Sequence, residues 1–322
     1  MIRGAARVLA GALALAAPPA LAGVAEDRAA LAQLQRDDAR LQSIGWRLAT
    51  GNARFCPDAA PAIGLLLQDM ANYGSPAKMR RAAGISGDVA AQAVAYGSPA
   101  QAAGLAPNDE IVAIDGNGMA ALPPAKAGDW RRLTGLHDRI DASLAADGRV
   151  VLEWRGGGSE ARTTTIAGIP ACPGRFELLD RGGKAAADGA RVLIGREFAG
   201  LDYSEAELAA ALAHEYAHNL LRHREWHAAQ GRKRKTVRLT EREADRLMPW
   251  LLANAGYDPA AAARFFERWG PRHGGWIFRA RDHDGWDERR DFVNAELPQV
   301  RALMASEGAA DWQRHFRREV ER

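Results

Sequence analysis

Residues 204–223 read SEAELAAALAHEYAHNLLRH, and no other stretch limits the fold of this chain so tightly. Ser204 followed three residues later by Glu207 is a capping box, and the alanine-rich run behind it favours a helix of about twenty residues. A helix turns once per 3.6 residues, so His214 and His218 share a face and their imidazoles can reach one metal ion. Glu215 is rotated by about 100° from His214. Its carboxylate then lies beside the position such an ion leaves open, where it can take a proton from water. Histidines four apart occur on ordinary helices, and His223 and His227 show that the stretch is rich in them. Chance nevertheless gives an H-E-x-x-H match only on the order of 0.01 times in a chain of this composition.

A catalytic ion generally takes three protein ligands and keeps one position for water. Downstream stands TEREADRLMPWLLANAGYDP, in which Thr240 is expected to open another helix. Glu241 is assigned as the third ligand. Asp245, four residues on and on the same face, is assigned to orient a ligand imidazole through its other N–H. Glu243 competes for the ligand role, but a capping box with Thr240 accounts for it. Glu241 has an ordinary reading too, as an acid favoured at a helix N-terminus; HEYAH tips the balance toward the metal.

The chain opens MIRGAARVLAGALALAAPPALAGVAEDR. A basic start, an apolar run of about ten residues and Ala20-Leu21-Ala22 make a secretory signal peptide over 1–22, too short to span a bilayer at the roughly twenty residues needed. No later stretch is long and apolar enough either, so the mature product is expected to lack transmembrane segments and to reside in a bacterial periplasm. A formal charge of +3 gives no reason to expect nucleic acid. The one basic run, GRKRKTVR at 231–238, reads as a solvated loop. Cys56 and Cys172 are the two cysteines. In an oxidising compartment they are expected to form a disulfide closing a loop of more than about a hundred residues, worth roughly 4 to 5 kcal/mol in chain entropy.

A helix is expected from Glu26 to about Gly45, and a second in PAIGLLLQDMANY after Pro61. Residues 85–168 then change character, reading as strand, short helix, strand, turn, longer helix and two closing strands. Ser98-Pro99-Ala100, Ala103-Gly104-Leu105, Pro107-Asn108-Asp109-Glu110-Ile111 and Ile114-Asp115-Gly116 make this stretch resemble a PDZ domain of exported bacterial proteases. The resemblance implies a groove that takes a peptide or chain end, with AAGISGD at 82–88 as its carboxylate-binding loop. Past Cys172, the ARVLIG strand at 190–195 is expected to pair with an extended substrate backbone.

HEYAH, followed by Glu241-x-x-Ala244-Asp245, resembles the gluzincin zinc metallopeptidase family of the CAAX prenyl proteases, HtpX and the periplasmic BepA-type proteases. Ala187-Asp188-Gly189, Glu207-Leu208-Ala209, Arg222-His223 and Ala255-Gly256-Tyr257-Asp258-Pro259 belong to the same likeness, which runs from about 176 to 300. It implies Zn2+, one per chain, on His214, His218 and Glu241, with Glu215 as general base. By the family's His-Pro segment and following arginine, His283 would stand over the ion as a donor to the transition state or a temporary fourth ligand, and Arg289 would support the site. Asp284 replaces that proline, and Lys184-Ala185 stands where members show Asn-Ala.

The expected fold is therefore α+β: a mainly helical zincin-type domain with a small edge sheet, built from 23–84 and 169–322, and a PDZ-like β-rich domain inserted at 85–168. The expected function is peptide-bond hydrolysis in unfolded or misassembled envelope proteins. Two other classes fit the same motifs, an assembly factor whose zinc site is plugged and a zinc hydrolase of a non-protein envelope substrate.

Overall fold

The computed structural model describes residues 19–157, 159–273 and 284–320. Residues 1–18 of the expected signal peptide lie outside these, and Pro19–Ala22 begin the first helix. The fold is α+β. In chain order come α1 (Pro19–Asn52), β1 (Ala60–Ala62), β2 (Leu65–Asp69), α2 (Pro76–Ala83), β3 (Val89–Val94), α3 (Pro99–Ala102), β4 (Glu110–Ile114) and β5 (Asn117–Gly118). Then follow α4 (Arg131–Asp147), β6 (Arg149–Arg155), β7 (Arg162–Ala167), β8 (Ile169–Ala171), β9 (Arg175–Leu179), β10 (Ala185–Ala187) and β11 (Arg191–Gly195). The rest is helical: α5 (Glu205–Leu220), α6 (His223–Gln230), α7 (Arg234–Asn254), α8 (Ala261–His273), α9 (Trp286–Glu307) and α10 (Trp312–His315).

Two apolar cores divide the chain. One gathers residues from 63 to 166 between α4 and a sheet ordered β2-β3-β4-β6-β7, with Leu67, Ile111, Ile140, Leu152 and Trp154 at its centre. The other takes Leu41 to Cys56 together with Ala171 onward, and holds α5, α7, α8 and α9. The first unit is thus an insertion into the second. Its neck is the antiparallel ribbon β1–β8, in which Ala60 faces Ala171 and Ala62 faces Ile169.

The order of elements within 89–167 follows the sequence reading, but the boundary at 85 falls too late. PAIGLLLQDMANY is not a helix. Gly64 takes a left-handed φ of 70°, Leu65–Asp69 is a strand with all five residues buried, and Met70–Asn72 is a single 3-10 turn. A short apolar run buried on both faces carries no period to separate strand from helix. β2 pairs with β3, so the sheet begins before residue 85. The first helix also runs past Gly45 to Asn52. Gly45 is there for contact: a Cβ at this point would stand 2.0 Å from the Phe176 ring of β9.

The carboxylate-binding loop expected at 82–88 is already filled. Ser86 and Gly87 donate their backbone N–H groups to the Glu110 carboxylate at 2.8 and 2.9 Å, and Arg155 closes on the same group. On β2, the Leu67 N–H donates to His137 Nε2 of α4 at 3.3 Å, and Arg132 grips Asp69 with two nitrogens.

The second unit has a sheet ordered β10-β11-β9. β11 is its middle strand, parallel to β9 and antiparallel to β10. The ARVLIG strand therefore has no free edge; of the two outer strands, β9 is covered by α1, where the Phe176 and Leu178 N–H groups donate to Gln42 and Asp38, and among the described residues it is β10 whose outer edge is unpaired. Backbone bonds Asp188 N to Arg191 O and Gly195 N to Lys184 O show that even-numbered residues of β10 face β11. By the two-residue period, Ala185 and Ala187 direct their N–H and C=O groups outward.

Candidate metal centre

α5 is buried on nearly every side from Leu208 to Ala213, as a helix apolar all round must be. Ser204 and Glu207 form the expected capping box. α7 packs alongside it and starts at Arg234, so most of the basic run is helical and Thr240 lies inside the helix. Thr240 Oγ1 donates back to Val237 O at 2.9 Å and makes no capping box. The apolar spacing of Val237, Ala244, Leu247 and Leu251 carries the helix straight through the T-x-x-E signal.

The two helices bring together three of the residues the sequence singled out. His214 Nε2 lies 3.3 Å from His218 Nε2 and 3.3 Å from Glu241 Oε2, while His218 Nε2 lies 3.5 Å from Glu241 Oε1. Bonds of about 2.0 to 2.1 Å at the tetrahedral angle separate ligand atoms by about 3.3 to 3.4 Å. The two imidazole nitrogens stand at that separation, the Glu241 carboxylate faces each of them with a different oxygen at a similar distance, and His214, His218 and Glu241 can hold a metal ion. The electrostatics favour one. Burial disfavours charge on His214, yet hydrogen bonds to Asp245 and Glu241 overcome it and raise its pKa to about 10. The point attracts positive charge.

Asp245 Oδ1 lies 2.9 Å from His214 Nδ1, within reach to orient that imidazole. Arg289 clamps the same carboxylate through Nε and Nη2, each at 2.7 Å. Asp245 is fully buried; desolvation works against its charge, but Arg289 and His214 pull its pKa below the usual carboxylate value. Glu215 lines the adjoining cleft of about 770 Å³, together with Lys184–Gly189, Phe265, Trp269 and Trp286. The free edge of β10 thus forms one wall of the cleft that holds the cluster. His283 lies outside the described residues. Asp284 pairs with Arg238 and Arg242 of α7.

Glu243 is excluded as a ligand because its carboxylate is spent elsewhere. It accepts from Arg318 Nε, from the backbone N–H groups of Glu319 and Val320, and faces His223 Nε2 at 2.9 Å. Desolvation opposes its charge, but these bonds bring its pKa down to about 2. Asn219 also escaped the sequence reading. Its Oδ1 accepts from Gly189 N at 2.8 Å and its Nδ2 donates to Arg191 O at 3.0 Å, which fastens α5 to the sheet. Only its place directly after His218 hinted at a role.

Cys56 and Cys172 are both buried at the base of the β1–β8 neck, where each perturbs the other's thiol. The expected disulfide is not formed in the structure, where both thiols are free. Contact with Cys56, with burial second, pushes the Cys172 thiol well up. Tyr216, the central residue of HEYAH, donates to the Cys172 carbonyl at 2.9 Å. No protein-family model matches the chain, and no curated protein matches it either.

Proposed function

We propose that this chain is an exported, zinc-dependent metalloendopeptidase acting on unfolded or flexible envelope proteins. The observation that carries the reading is the convergence of His214, His218 and the Glu241 carboxylate on one point, with Glu215 lining the same cleft and the outer edge of β10 walling it. Among the described residues no helix is long and apolar enough to cross a membrane.

Zinc held by these three side chains would supply Lewis acidity, which polarises a carbonyl and makes water more acidic. The protein does the rest. Ala185 and Ala187 offer their outward N–H and C=O groups to an extended substrate, which would lie as a further strand across the cleft. Glu215 takes the proton of the attacking water and delivers it to the leaving amine. Asp245 and Arg289 keep His214 in one tautomer and orientation. The inserted unit, read as PDZ-like, selects substrates along the outer edge of β2; a peptide adding there has to displace His137 from Leu67.

The test separates ligand from base. Glu215→Gln retains about one zinc per chain and loses about 10² to 10⁴ in turnover, whereas Glu241→Ala loses the metal. Loss of zinc in the first variant, or its retention in the second, contradicts the assignment.

A further inference from the structure

The two histidines of the cluster are held from behind in different ways. His214 leans on a carboxylate, Asp245. Behind His218 stands another imidazole: His223 Nδ1 lies 2.8 Å from His218 Nδ1, and His223 Nε2 lies 2.9 Å from Glu243 Oε2. We propose that His223 is a positioning residue for His218, and that Glu243 and the Arg318–Val320 segment fix it in that role. This rests on the metal reading of the site.

The protonation pattern follows from the carboxylate. Glu243 accepts from Arg318 and from two backbone N–H groups, so its carboxylate faces His223 as an acceptor, and His223 carries its proton on Nε2 and gives it to Glu243. His223 Nδ1 is then an acceptor. At 2.8 Å the facing His218 Nδ1 has to be the donor. That leaves the lone pair of His218 on Nε2, the atom that faces His214 and Glu241. A carboxylate two rings away thereby selects the tautomer able to bind a cation.

The local backbone is shaped for this contact. Arg222 adopts a left-handed φ of 55°, a conformation costly for a residue with a side chain, and turns the chain sharply between α5 and α6. His223 comes back against His218 as a result. Glu243 is locked in turn: Oε1 accepts from Arg318 Nε and Val320 N, both at 2.9 Å, and from Glu319 N, while Arg318 Nη2 reaches Oε2 at 2.9 Å. Arg318 also reaches Leu221 O at 3.3 Å, at the end of α5. A segment far along the chain thus helps set one ring of the cluster.

Zinc dissociation constants by competition with a chromophoric chelator, and visible spectra of the cobalt-loaded protein, test the relay. His223→Phe keeps bulk but removes the acceptor; zinc binding weakens by about 10- to 100-fold and the cobalt spectrum shifts. His223→Gln, whose amide both accepts and donates, recovers most of the affinity. Arg318→Met, away from the ion, weakens binding by about tenfold and decides the matter should His223→Phe not fold. Wild-type affinity and an unchanged cobalt spectrum in folded His223→Phe, or unchanged affinity in Arg318→Met, overturn the relay while leaving the metal site standing. Absence of zinc binding in the wild type overturns both.

Discussion

Asp38, midway along α1, accepts a hydrogen bond from Gln92 Nε2 of β3 at 2.7 Å and another from the Leu178 N–H of β9 at 2.7 Å. One buried carboxylate thus ties the inserted sheet to the edge sheet of the unit that carries the His214, His218 and Glu241 cluster. Burial raises its pKa to about 6, against the lowering effect of those two bonds; Glu177 and Asp37 add to the rise. A carboxyl whose folded pKa exceeds its unfolded value contributes stability that is full below about pH 4 and is lost as pH rises through about 6. At neutral pH the ionised group costs up to about 3 kcal/mol.

Asp38→Asn removes this titration. Gln92 Oε1 is buried without a hydrogen-bond partner, so a flipped Gln92 amide can accept from the new Asn Nδ2. Thermal midpoints of variant and wild type should draw apart in the variant's favour between pH 4.5 and pH 7.5. A constant difference across that range contradicts the account.

A second prediction concerns the outer edge of β10. Ala187→Pro removes an outward N–H without touching the Ala186–Leu193 pair that faces β11. Cleavage of extended peptides should show KM raised about fivefold, the equivalent of one lost hydrogen bond of roughly 1 kcal/mol, with zinc content unchanged. An unchanged KM would place the substrate elsewhere in the cleft.

The cysteines give a third. Cys56 and Cys172 flank the neck of the insertion, where the pairing of β1 with β8 brings them to the same end, so an oxidising compartment should join them. Alkylation under denaturing, non-reducing conditions should then label neither residue in exported protein, and reduction should cost about 4 to 5 kcal/mol of stability. Two labelled thiols reject the bond.

What the sequence revealed, and what it hid, follows from how local each signal was. The capping box at Ser204 and the four-residue spacings of His214 with His218 and of Glu241 with Asp245 are each written into a single helix, and the structure has the box, groups His214, His218 and Glu241, and sets Asp245 beside His214. Thr240 misled because a T-x-x-E pattern is also compatible with a helix interior. β2 was hidden because burial on both faces erases alternation. The exchange of β11 for β10 as the free strand depends on pairing with β9, a partner that no local pattern in ARVLIG announces. His223, Glu243 and Arg318 were beyond reach for the same reason: they meet only when α5, α6, α7 and residues 318–320 have packed.

The central claim is that His214, His218 and Glu241 hold a zinc ion which, with Glu215, cleaves peptide bonds. The most direct measurement is casein cleavage by purified wild-type protein, stripped of metal with a chelator and then titrated with zinc. Activity should vanish on stripping and return as zinc approaches one equivalent per chain, and Glu215→Gln carried through the same titration should take up zinc and stay inactive. Cleavage that survives complete removal of metal, or that Glu215→Gln retains in full, would contradict the account.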